Sequence, residues 1–153
     1  MVIPNDQEFS NFSEMKKLEW YKNRILWRAR KNRLDSCLWN SFLISNEAAA
    51  RKVLDATEGY EHPLLIFWLN DDVWTVLTAK FLLGKIDGVF ASVELDNLGE
   101  VSTANDDNLY PQELKKRAEY IEVGLTKTRF WTDPGINHFS LRNILGMFPI
   151  RTP

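Results

Sequence analysis

The sequence predicts an α+β fold: N-terminal helices, then a curved antiparallel sheet, closed by a C-terminal helix. Three observations predict it. Residues 1–60 carry helical spacing and no strand signal. From Pro63 onward, short β-branched and aromatic runs alternate with turn residues, and the gaps are too short for crossover helices. A helical apolar pattern returns only after Ser140. Helices, strands and one last helix make an α+β order. The 153 residues, 44% hydrophobic and 12% aromatic, suffice for one ordered core. One domain over 1–153 is expected, helical in 1–60, with the sheet and its closing helix in 63–148.

Residues 1–12 read as a loosely held arm. Ser13 is placed to cap a helix running to Leu34, in which Trp20, Trp27 and Leu34 recur every seven residues. Leu18, Tyr21 and Ile25 keep the three-and-four spacing of the same helix. The pattern resumes through Trp39 and Phe42. Asn46 caps a second helix, carried by Ala48-Ala49-Ala50 and stopped at Gly59. Leu64 to Leu69 is the first strand, Asn70-Asp71-Asp72 a turn, Val73 to Leu83 the second strand and Val89 to Leu95 the third. Thr103 to Asn108 is a loop, and Pro111 opens a short helix to Ala118. Tyr120–Val123 and Thr128–Trp131 pair around Gly124. Asp133-Pro134-Gly135 is a turn, and Ser140 caps a final helix with Leu141, Ile144, Leu145 and Phe148 on one side.

Charge is unevenly distributed. Between Lys16 and Arg33 stand eight basic residues and one acid, giving +7 there and −9 over the rest of a chain whose net charge is −2. A basic helix bearing Trp could lie on an anionic membrane or dock into a partner. The commoner outcome is a docked helix with its Trp residues in the core and its Lys and Arg in water, and that is the expectation. A pI of about 5.7 and the −9 remainder argue against nucleic acid.

Groups able to do chemistry are sparse. A lone Cys37 gives no disulfide framework, and two histidines, His62 and His138, are too few for a usual transition-metal site. Cys37, inside an apolar run, reads as an inert packing residue, and His62 as a loop residue. His138 lies near Ser140, which reads as a helix cap. Glu94 and Asp96 share a strand face, Asp106-Asp107 matches no calcium loop, and the seven glycines form no phosphate loop. The expectation is no catalytic site, no cofactor and no metal. There is no apolar run of about 20 residues. Met-Val-Ile-Pro-Asn-Asp lacks the regions of a signal peptide, so a soluble, cytoplasmic protein is expected.

The stretch Val76-Leu77-Thr78-Ala79-Lys80-Phe81-Leu82-Leu83, followed by Val93-Glu94-Leu95-Asp96-Asn97-Leu98-Gly99-Glu100-Val101, resembles the bacterial PH-like domain family. A strand ending hydrophobic-Thr-x-Lys is followed by another leading into a turn of the Leu95-Asp96-Asn97-Leu98 kind. The segment Thr128 to Phe148 is similar to the way PH folds close one end of their barrel with a helix. The resemblance covers about 64–101 and, more loosely, 119–148. It implies a partly open PH-like barrel and a non-enzymatic protein-binding role. The corresponding loop Asn70-Asp71-Asp72 is acidic, which argues against a lipid headgroup.

The expected partner is therefore another protein, met by an acidic rim of Asp71, Asp72, Asp96, Asp106 and Asp107, or by exposed parts of the basic face, Arg24, Arg28 and Lys31. Two alternatives accompany it: an immunity-type protein that neutralises a basic toxin such as a nuclease, and a peripheral protein attached to a membrane surface by its basic helix.

Overall fold

The computed structural model describes the backbone of residues 6–150 and the side chains of residues 13–150. The chain is α+β. Helix α1 (Asp6–Lys31) leads through a 3₁₀ turn (Asp35–Cys37) to α2 (Trp39–Ser45) and α3 (Glu47–Ala56). Four strands follow, β1 (Leu65–Asn70), β2 (Val73–Leu77), β3 (Phe81–Ile86) and β4 (Val89–Glu94). A 3₁₀ turn (Leu95–Asn97), β5 (Val101–Thr103), α4 (Pro111–Arg117), β6 (Tyr120–Val123), β7 (Thr128–Trp131) and α5 (Ile136–Leu145) complete it. The strands form two antiparallel sheets, ordered β1-β2-β3-β4 and β5-β6-β7, and each keeps free edges, so neither closes into a barrel.

Period-two alternation builds the layers. On β1, Leu65 and Phe67 enter the larger core, shared with the three-stranded sheet, α1 and α5. Ile66 and Trp68 point the other way, into a second core with Trp39, Phe42, Ala50 and Val53 of α2 and α3. The four-stranded sheet is thus covered on both faces, which explains why β1 reads as a continuous apolar run rather than an alternating one. Two contacts tie the sheets together: Phe130 packs at Gly84, and the buried Thr75 hydroxyl donates to the Trp131 carbonyl at 2.6 Å.

Several boundaries differ from the sequence reading. The arm expected over 1–12 is helical from Asp6; residues 1–5 lie outside those described. At its other end, Arg33 turns left-handed (φ 60°), and the Leu34 and Arg33 amides return to the carbonyls of Ala29 and Arg30. That Schellman-type closure stops α1 before Leu34. Val73 to Leu83 is two strands, not one. The Thr78 hydroxyl accepts from the amides of Lys80 and Phe81 at 3.1 and 2.8 Å, which folds the run into a tight turn. Val101–Thr103 pairs as β5, so Thr103 belongs to a strand and only the residues after it to a loop. The last helix starts at Ile136, entered through Gly135 (φ 91°), and Ser140 sits inside it. Asn46 does cap α3, accepting from the Ala49 amide at 3.4 Å. Leu95 and Leu98 both bury, anchoring the turn after β4.

Candidate functional site

The five aspartates expected to form one rim occupy three separate places. Asp71 and Asp72 lie in the β1–β2 turn, beside the β3–β4 turn through a Gly88 amide to Asp72 carbonyl bond. Asp96 follows the opposite end of β4, and Asp106 and Asp107 lie between β5 and α4. Three of the five are neutralised by the chain itself. Asp71 pairs with Lys52 at 2.9 Å, and Asp106 takes both nitrogens of Arg129 at 2.8 and 2.6 Å, which lowers its pKa. Asp96 accepts from Lys17 and from the Tyr21 hydroxyl, the latter at 2.6 Å. Burial pushes its carboxyl up, but those donors and the Lys17 charge outweigh it and hold the group below the usual range. Asp72 and Asp107 are exposed, with no cationic partner among the described residues.

On α1, Arg24 and Lys31 lie over the Trp27 ring, 4.9 and 5.6 Å from its centroid. Trp27 is 44% exposed, so it is not the core residue its heptad spacing predicts. Helix α1 ends before the heptad reaches Leu34, and its buried stripe is Tyr21, Ile25 and Ala29 instead. Arg28 is half-buried, with its Nε covered and unpaired among the described residues.

The two groups with nucleophile or base potential are enclosed. Burial, then the Asp133 charge, pushes the Cys37 thiol up to about 11. His138 is fully buried between two threonine hydroxyls, Thr103 at 3.0 Å from Nε2 and Thr132 at 2.9 Å from Nδ1. Arg142 donates to the Thr103 oxygen at 3.0 Å, and a hydroxyl, which can both donate and accept, meets each ring nitrogen. Burial, then the Arg142 charge, lowers the imidazole pKa to about 4. Among the described residues no carboxylate bonds this ring, and the nearby Ser140 hydroxyl donates instead to the Asn32 carbonyl at 3.4 Å. The arrangement locks β5, β7 and α5 together. Among the described residues no three His, Cys, Asp or Glu side chains converge as metal ligands.

A groove of about 490 Å³ runs beside β1. Cys37, Phe42, Trp131, Pro134 and the β1 residues Ile66 to Leu69 line it. Its charged lining residues are Glu119 and Asp133, both acids, and neither has a cationic partner among the described residues. Asp133 is held by the Asn137 amide at 2.6 Å. Neither acid stood out in the sequence, because each is isolated and is brought to β1 only by packing of the two sheets. A smaller cavity of about 390 Å³ under α4 is lined by charges of both signs, Asp106, Asp107, Arg117 and Glu119. No helix among the described residues is long and apolar enough to cross a membrane. Comparison with family models, with curated proteins and with solved structures gives no match.

Proposed function

We propose that this chain is a non-enzymatic protein-interaction module that holds a basic segment of another protein in the groove beside β1. The observation that carries the reading is the groove's composition: aliphatic and aromatic side chains beside two carboxylates without cations, and no cation in the lining. Apolar contact supplies affinity in such a site and unpaired charge selects the partner. The PH-like reading of the platform is supported by two packed, open antiparallel sheets followed by one helix. A basic toxin such as a nuclease is one partner with the required chemistry. The acidic contact surface is thereby moved from Asp71, Asp96 and Asp106, which the chain neutralises itself, to Glu119 and Asp133.

Binding of basic peptides and of a basic nuclease domain, followed by fluorescence anisotropy, tests this. Replacing both groove acids (Glu119→Gln with Asp133→Asn) is expected to weaken binding about tenfold or more, while Asp71→Asn with Asp72→Asn leaves it unchanged. The opposite pattern returns the site to the turn aspartates, and equal indifference to both pairs removes an acidic contact altogether.

A second reading is favoured by Trp27, exposed between Arg24 and Lys31. Amphipathic tryptophan flanked by cations suits the interface of an anionic membrane. Co-sedimentation with vesicles containing phosphatidylserine is then expected at low salt, falling severalfold with Trp27→Ala; no sedimentation at low salt eliminates this attachment.

A further inference from the structure

We infer that the chain pairs with a second copy of itself along the outer edge of β4, antiparallel and centred on Ser92, so that two four-stranded sheets join into one. The inference is independent of the groove, because β4 is the opposite edge of the sheet from β1. Strand β4 has β3 as its ladder partner and no other among the described residues. Its residues are open to solvent. Val89 is 72% exposed, Ser92 and Glu94 are exposed, and Phe90, Ala91 and Val93 are half-buried.

Both ends of the β3–β4 hairpin show which main-chain groups face outward. Asp87 and Gly88, with φ of 51° and 78°, form a two-residue turn, which bonds its flanking residues Ile86 and Val89 to each other. At the far end the Leu95 amide donates to the Lys80 carbonyl at 2.8 Å. The register between these ends is unbroken, and bonded pairs alternate along an antiparallel ladder. Val89, Ala91 and Val93 therefore bond to β3, while Phe90, Ser92 and Glu94 turn their N–H and C=O groups away from it. Those outward groups have no main-chain partner among the described residues. Natural sheet edges are guarded by lysine, proline or a bulge. Val89-Phe90-Ala91-Ser92-Val93-Glu94 has none of these, and its one charge stands at the end.

The charge pattern identifies the occupant as a second copy. With the two-fold axis at Ser92, Phe90 of one copy lies opposite Glu94 of the other, and Ala91 lies opposite Val93. Every outward amide and carbonyl of β4 then finds a partner, whereas centring the pair on Ala91 or Val93 leaves some unpaired. Phe90 lies directly opposite Lys85 on β3 and shares its face. Glu94 of the second copy thus stands across Phe90 from Lys85, ~10 Å away at the backbone by two strand spacings, a gap that two long side chains close. Neither Lys85 nor Glu94 forms an ion pair among the described residues. The two-fold axis repeats this pairing on the other side, as an isologous contact requires. Parallel pairing instead sets Glu94 against Glu94, which is unfavourable. A foreign strand with one kind of charge answers Lys85 or Glu94 but not both.

Sedimentation equilibrium of the full chain from about 10 µM to about 1 mM tests this, and a dimer that grows with concentration is expected. Amide exchange at Phe90, Ser92 and Glu94 slows by about tenfold as the dimer forms, while Ala91 and Val93, already bonded to β3, change little. Ser92→Pro removes an outward N–H without touching the β3 ladder, so it weakens association by tenfold or more at unchanged Tm; Ser92→Ala leaves association as it was. Glu94→Lys also weakens it about tenfold, and adding Lys85→Glu restores it. This charge exchange decides the matter if Ser92→Pro lowers Tm. A monomer throughout the range overturns the pairing. A dimer indifferent to Ser92→Pro, with β4 exchange unmoved, places the second copy elsewhere and overturns it too. Loss with Glu94→Lys that Lys85→Glu does not restore overturns the register centred on Ser92. Protection of these amides only by an added Val- and Thr-rich peptide makes a foreign strand the occupant and overturns the second copy.

Discussion

Phe130→Ala is expected to lower the unfolding free energy by ~3–5 kcal/mol, read as a shift of the urea midpoint by tryptophan fluorescence. Phe130 is fully buried on β7, and its ring occupies the space in front of Gly84 on β3, where an added Cβ would stand 2.7 Å from Phe130 Cδ1 and 3.3 Å from the Trp74 carbonyl. Removing the ring leaves a cavity between sheets that are otherwise joined there by the Thr75 hydroxyl on the Trp131 carbonyl, so neighbouring side chains have little freedom to collapse into it. The converse change, Gly84→Ala, is expected to cost ~1–3 kcal/mol by overpacking against the same ring. The two are coupled. In a Phe130→Ala background the new methyl enters vacated space, so Gly84→Ala is expected to be nearly neutral or stabilising there. Strict additivity in the double-mutant cycle would show that the sheets do not meet at this point.

What the sequence reveals and conceals here follows the range of each interaction. Asn46 capping α3, Pro111 opening α4 and the hairpin of β6 and β7 depend on neighbours a few residues away, and all were readable. The break within Val73 to Leu83 is also local, but it is made by a hydroxyl at Thr78, a β-favouring residue whose turn-forming bonds show only when the backbone bends. Trp27 misled because periodicity marks a helix face without telling how much of that face is covered. The acidic rim was least readable. Whether an aspartate is free depends on cations far along the chain: Lys17 for Asp96, 79 residues away, and Arg129 for Asp106, 23 residues away. The same reasoning hides Glu119 and Asp133, which come together only because packing carries the entry to β6 and the turn after β7 beside β1. An uncharged run such as Leu65 to Leu69 was visible as a strand; that it is an edge strand is a property of topology.

Acid is expected to destabilise this fold through His138, by up to ~3 kcal/mol between neutrality and pH 4. The fully buried imidazole titrates near 4, against 6.5 for an imidazole in water, because burial and then the Arg142 charge disfavour the cation. The unfolded chain therefore binds a proton that the folded chain refuses between these two values. The stabilisation is fully present above about pH 6.5 and is lost as pH falls toward 4, with a slope approaching ~1.4 kcal/mol per pH unit. Urea titrations at intervals from pH 7 to 4 measure the slope, and His138→Gln supplies the comparison. That variant is less stable at pH 7, since it disturbs the Thr103–Thr132 bridge, yet its stability should decline far less over the same interval. The His138 ring resonance should also keep its neutral position by NMR down to about pH 5. Equal slopes in the two proteins, or a ring that titrates near 6.5, would place His138 in water and dissolve the clasp that joins β5, β7 and α5.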